Sequence, residues 1–217
     1  MPKNDTQRSV VMRKMILFML WVLCISMFIG CGSVTTKKQN AMVISDKGNV
    51  EASSYGSFDK EYYDAAELKQ QIQDAIDEYN DTNGADRIKL KKCSKDKDGV
   101  HLIITYESGD DYTAFNGVQC YVGKLGTAVS EGAADSSVRI TSSDGSLKTT
   151  IGELNNKSGT ELSILIIEEP LVVSVPQAVQ YISGDVQLDK NGNCIVGEDS
   201  KGETVLDSPS YIIYGKQ

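Results

Sequence analysis

From Val138 to the C-terminus, apolar residues come in short runs closed by Gly, Asn, Asp or Pro. Runs this brief, rich in Val, Ile and Tyr, suit strands. Val138 to Thr141, Leu162 to Ile167, Leu171 to Val175, Val179 to Ile182, Val186 to Leu188, Cys194 to Val196 and Tyr211 to Tyr214 all qualify. The C-terminal half is therefore expected to be β-rich, and no internal repeat of fixed period organises it.

The N-terminal half supplies one clear helix. Ala65, Leu68, Ile72, Ala75, Ile76 and Tyr79 fall on one stripe at spacings of three and four. Asp64 suits the N-cap, with Glu67 in the capping-box position, and Asn83-Gly84 suits a left-handed stop. A helix with one apolar face needs a cover. Arg87 to Lys95 and Val100 to Glu107 form a hairpin that can provide it. Ile88, Leu90 and Lys92 alternate with Lys89 and Lys91 in its first arm; Val100, Leu102, Ile104 and Tyr106 share a face in its second. Ala41 to Ser45 and the residues from Val50 read as two further strands around an Asp46–Asn49 turn. Ser108 to Gly117 reads as a loop with a helical turn, followed by a strand at Val118 to Val122 and a short helix at Lys124 to Glu131. The expected class is α+β: an antiparallel sheet packed with one main amphipathic helix, followed by a β-rich half. Gly132 to Ser137 is the weakest point, so units at 41–132 and 133–217 are expected.

Ahead of this lies a different kind of segment. Arg13-Lys14 precedes an uncharged run from Met15 to Ile29, then Gly30-Cys31-Gly32-Ser33. The run is shorter than the roughly 20 apolar residues a permanent transmembrane helix needs. Phe28-Ile29-Gly30-Cys31 resembles the lipobox of bacterial lipoproteins, with Phe28 where leucine is common. That resemblance implies cleavage between Gly30 and Cys31, a diacylglyceryl thioether on Cys31 and a further acyl group on the new amine. Residues 1–30 are then signal peptide, and 31–40 the lipidated cysteine with a polar tether. A start at Met12 would give a tidier signal than Met1, because Met1 to Val11 carries Asp5.

Without residues 1–30 the chain has 187 residues, with 18 basic and 29 acidic side chains and a net charge near −11. That balance argues against nucleic acid or a broad anionic surface as partner. Cys93, Cys120 and Cys194 are widely spaced and show no metal-type pattern; buried thiols are the expectation, with one disulfide plus a free thiol also open.

Chemistry is sparse. His101 is the sole histidine, which excludes His-based metal clusters; its strand phase opposes Val100 and Leu102, so it should face solvent. Asp110-Asp111, Glu168-Glu169 and Glu198-Asp199 are paired acids, and in so acidic a chain they suit loops and turns. Asp189-Lys-Asn191-Gly-Asn193 places glycine fourth rather than sixth and fails as an EF-hand loop; it is a hairpin turn. Aromatics cluster at Tyr106, Tyr112, Phe115 and Tyr121, where tyrosines beside acids could line a sugar or peptide groove. Core packing is the more ordinary reading of them.

The lipobox, the Asp64 to Gly84 helix, Tyr106-Glu-Ser-Gly-Asp-Asp-Tyr112-Thr-Ala-Phe-Asn-Gly117 and the closing Tyr211-Ile-Ile-Tyr214 together resemble small lipoproteins of anaerobic Gram-positive bacteria related to Clostridia. The resemblance implies the outer face of a single cytoplasmic membrane and assigns no activity. The expectation is a membrane-anchored, non-catalytic protein that binds or scaffolds something at the cell envelope, another envelope protein or a glycan, without cofactor or metal. The alternative is a solute- or glycan-binding lipoprotein using Tyr106, Asp110, Asp111, Tyr112 and Tyr121, for which a pocket lined by those tyrosines is required. A carboxylate-dependent hydrolase comes third and needs two inward-facing acids roughly 5–9.5 Å apart.

Overall fold

The computed structural model describes residues 39–57, 64–97, 99–158, 161–198 and 208–216. Gly30, Cys31 and the rest of the stretch expected to be signal and tether, up to residue 38, lie outside them. Two sheets form the domain. The first contains β1 (Ala41–Ile44), β2 (Val50–Ser57), β3 (Ile88–Lys95), β4 (Gly99–Tyr106), β9 (Leu171–Ser174), β11 (Val186–Leu188) and β12 (Cys194–Val196), ordered β11-β12-β9-β1-β2-β4-β3. The second contains β5 (Cys120–Lys124), β6 (Arg139–Ser142), β7 (Lys148–Thr150), β8 (Ser163–Ile167), β10 (Val179–Ser183) and β13 (Ser210–Tyr214), ordered β5-β8-β13-β10-β6-β7. The α+β class with a β-rich C-terminal half is what the structure shows. Every strand read from Val138 onward is present, and β7 with the helix after it is additional.

Strands from both sides of the break expected at Gly132 share both sheets. β9, β11 and β12 return to the sheet begun by β1 to β4, while β5 belongs with the later strands. Strand pairing is the reason: β1 sits between β2, antiparallel, and β9, parallel, so the first strand needs a partner from the far end of the chain.

Period-two alternation sorts the core. Met42, Ile44, Val50, Ile104, Tyr106, Val173, Cys194 and Val196 line one face of the seven-stranded sheet. Leu165, Ile167, Ile212 and Tyr214 meet them from the six-stranded sheet, and α1 (Ala65–Asn83) adds Ile72 and Ile76. The alternate residues Ile164, Ile166, Tyr211 and Ile213 form a second core under α3 (Leu125–Ser130) and α4 (Ile151–Ser158). The six-stranded sheet is therefore buried on both faces, which explains its unbroken apolar runs.

Local signals act largely as read. Asp64 accepts from the backbone of Ala66 at 2.7 Å and Glu67 at 3.3 Å at the start of α1. Gly84 closes α1 with φ 114° and ψ 144°, not the left-handed helical values expected. Its N–H still reaches Asn80 O. The turn at Ser108–Gly117 is a helix, α2 (Gly109–Asn116), capped by Ser108 and ended by Gly117 at φ 72°. One register detail differs. A bulge between Leu90 and Lys92 shifts β3, so Lys92 pairs with Ile103 on the outer face and Cys93 turns inward with Leu102. Burying a lysine would cost far more than the bulge does.

Candidate functional site

The residues proposed for ligand binding separate into three environments. Tyr106 and Tyr112 are 2% and 5% exposed in the core between the sheets. Their rings meet edge-on at 5.0 Å, with Phe115 tilted against Tyr106 at 6.1 Å. Tyr121 lies with the second core, across the six-stranded sheet. Asp110 is exposed in the first turn of α2. Tyr106, Tyr112 and Tyr121 therefore share no common face: aromatic area this close to two sheets is worth more to the fold buried than at a wet rim.

Asp111 is different, at 1% exposure. It accepts from Ser108 Oγ at 2.6 Å, Arg87 Nε at 2.9 Å and Tyr79 OH at 3.0 Å. Arg87 also reaches Glu107 at 3.4 Å. Burial pushes the Asp111 carboxyl up, but the hydrogen bonds of Ser108, Arg87 and Tyr79 outweigh it and hold it below the usual carboxylate range. With those donors spent on it, the carboxylate ties the end of α1, the start of β3 and the cap of α2 together, and is not presented to a substrate.

Glu169, one of a pair of acids expected on a turn, is half-buried. Only Glu168, Glu169 and Pro170 link β8 to β9, so the chain crosses from one sheet to the other in three residues, with Glu168 exposed and Glu169 half-buried. Glu169 accepts from Tyr112 OH at 2.5 Å. Burial raises its carboxyl above the usual range despite that bond. The Cys120 thiol beside it is pushed up to about 12, chiefly by burial. A carboxyl raised in this way contributes stability below its unfolded value of about 4.3 and loses it as pH rises through the folded value. Glu169→Gln is therefore expected to stabilise the protein at pH 7 by about 1 kcal/mol, with no gain at pH 4. Urea titrations at the two pH values check this; an equal or lower midpoint for the variant at pH 7 contradicts it.

The other signals are structural. His101 lies on the outer face of the seven-stranded sheet, 5.0 Å edge-on from Tyr55. Asp189 accepts from the backbone of Asn191 and Asn193 and closes the β11–β12 turn. Asp144 is held down at about 2 by Ser142 and Ser146. Cys93, Cys120 and Cys194 are free thiols, and Cys120 and Cys194 are buried. Among the described residues no three His, Cys, Asp or Glu side chains are grouped to hold a metal, and no helix is long and apolar enough to cross a membrane.

Among the described residues the outer face of the seven-stranded sheet is only partly open, with Tyr55 5% exposed on it. Val43, 47% exposed, stands on that face, and the cores hold the described helices on other sides. Edge strand β3 carries Lys89, Lys91, Lys92 and Lys95, blunting it against strand addition, while β11 and β7 are three residues each. No family model matches the chain, nor does any curated protein sequence or solved structure.

Proposed function

We propose that the protein is an extracytoplasmic lipoprotein, held on the cell membrane through lipid on Cys31, whose domain binds or scaffolds a partner at the envelope without catalysis. The observation that favours a non-catalytic role is the saturation of Asp111, the best-placed buried acid, by Ser108, Arg87 and Tyr79. A general acid or nucleophile needs a face open to substrate. A glycan groove at Tyr106 and Tyr112 is disfavoured, because those rings fill the core.

The anchor is tested by Cys31→Ser. Two or three acyl chains, at about 0.8 kcal/mol per buried methylene, hold a protein on a bilayer nearly permanently. The variant is expected to lose its lipid mass and to retain its uncleaved signal. A wild-type protein without added lipid mass would overturn the reading. Capture of the acylated protein from its own detergent-solubilised membranes tests the partner, with a stoichiometric envelope protein as the supporting outcome.

A further inference from the structure

The point at which the chain leaves its fold decides which end of the domain a lipid on Cys31 would hold against a membrane. β1 begins at Ala41, which pairs with Ser53 of β2; Ser53 pairs with Ile103 of β4, and Ile103 with Lys92 of β3. Lys92 is therefore level with the first residue of β1. Lys95 pairs with Val100 and lies further out at the same end, and Lys97 follows it in the connection to β4. All three are exposed. Asn40 carries the chain outward from β1, its carbonyl accepting from Val172 N at 3.0 Å. Gln39 is eight residues along from Cys31, at most about 29 Å of chain.

This end is divided by charge. β3 closes the seven-stranded sheet on one side, with Lys92, Lys95 and Lys97 at its tip. β9, β12 and β11 lie on the other side of β1, and at this end they bring Glu168, Asp185 and Glu198. Four strand spacings, about 19 Å, separate β3 from β9. That is more than twice the screening length of about 8 Å at physiological salt, so the two corners meet a charged surface independently.

The described acids nearest the lysines are already engaged. Asp96 accepts from Tyr55 OH at 3.2 Å and from Gly99 N at 2.8 Å. Asp64 caps α1, whose N-terminus lies at this end because Asn80, near its other end, is bonded to Ile88 at the start of β3. Asp98 lies outside the described residues. Further along β3, Lys89 and Lys91 pair with Asp86 and Glu51. Lys92 and Lys97 make no ion pair among the described residues. They stand at the end the tether reaches, and Lys37-Lys38 directly precede Gln39 in sequence.

A net charge near −11 opposes recruitment of a free domain to an anionic bilayer. An anchored domain needs no recruitment: acyl chains hold it there, and local charge decides only which way it leans. We propose that Lys92, Lys95 and Lys97 at the tip of β3 dock the anchored domain on anionic lipid headgroups, tilting it so that the acidic β11 corner stands off the bilayer. The proposal rests on the lipid anchor at Cys31 given above.

The test is amine footprinting of the full-length acylated protein in vesicles, read lysine by lysine by mass spectrometry. Phosphatidylcholine vesicles are compared with vesicles that also contain phosphatidylglycerol. One lysine near an anionic surface changes the docked population about fivefold. Labelling of Lys92 and Lys97 is expected to fall about fivefold or more with phosphatidylglycerol present. It should recover in about 1 M salt, where the screening length is about 3 Å. Lys148 and Lys157, on the other sheet and its helix, should label equally in both vesicles. Lys92→Gln with Lys97→Gln should remove the protection of Lys95, and Lys148→Gln with Lys157→Gln should keep it. Equal labelling of Lys92 and Lys97 in the two vesicles overturns the proposal. So does protection that rises with protein density and not with phosphatidylglycerol, which would assign the corner to a second copy. Lipid mass is read from the same sample. Unacylated protein overturns anchor and docking together, whereas acylated protein without protection overturns docking alone.

Discussion

Val43→Pro is expected to destabilise the domain by about 3–5 kcal/mol or to prevent folding, although Val43 is among the most exposed aliphatic residues described. Its side chain contributes little; its backbone does the work. β1 is four residues long and is flanked on both sides, by β2 through Val43↔Glu51 and by β9 through Val43↔Ser174. In a strand with two neighbours every N–H belongs to one ladder or the other, and proline has none to give. The loss is not confined to one bond, because among the described residues β1 alone joins β2-β4-β3 to β9-β12-β11. Val43→Thr keeps the N–H and the β-branched shape, and is expected within about 0.5 kcal/mol of wild type. Urea denaturation followed by circular dichroism separates the two. A Val43→Pro protein as stable as Val43→Thr would mean that β1 is not inserted where the pairing places it.

Asp111→Ala carries the second large effect, a loss of about 3–5 kcal/mol. Removing the carboxylate leaves the Arg87 guanidinium, the Tyr79 hydroxyl and Ser108 without the acceptor they share, and removes the bond that orders the start of α2. Asp111→Asn preserves size and one acceptor and should cost less. The pH dependence identifies the cause. The folded Asp111 carboxyl lies below its ordinary value, so its contribution is fully present above the unfolded value of about 3.9 and is lost as pH falls through the folded one. Wild type should therefore lose stability faster than Asp111→Asn below pH 4, and the two curves should converge in strong acid. Parallel curves would assign the stabilisation to packing, not to the charge.

These two sites differ in how legible they were. Strands after Val138 could be read because each is short, apolar and closed by a turn residue, and the α1 stripe because its period is regular. The pairing of those strands could not. Nothing in Ala41 to Ile44 points to Leu171 as a neighbour, so the chain was divided at Gly132 where the topology weaves both halves together. Lys92 was placed inward by strict alternation, and the bulge at Leu90/Lys92 reversed it. The aromatic cluster was found, but its role depended on burial, which sequence proximity does not give. Asp111 and Asp110 are adjacent and alike in sequence. One is sealed by Arg87, Tyr79 and Ser108 and the other faces water, because a helix turns successive side chains about 100° apart. Glu169 is hidden for the opposite reason: a pair of acids before proline looks like a turn, and the short crossing between two buried strands leaves one of them half-buried beside Tyr112.

The interleaved order of strands also sets when this chain can fold. Emerging from its N-terminus, it offers β1 early but must wait for residues 171–174 to flank it, and the six-stranded sheet lacks an interior strand until Ser210–Tyr214 arrives. Contacts of such long sequence separation form slowly, since loop closure precedes any reward. A nascent chain therefore has no completed sheet to collapse into while it is still being made. On the proposed reading of an export signal this delay is useful: the polypeptide stays threadable through a narrow channel, and its last strand closes the structure only on the far side.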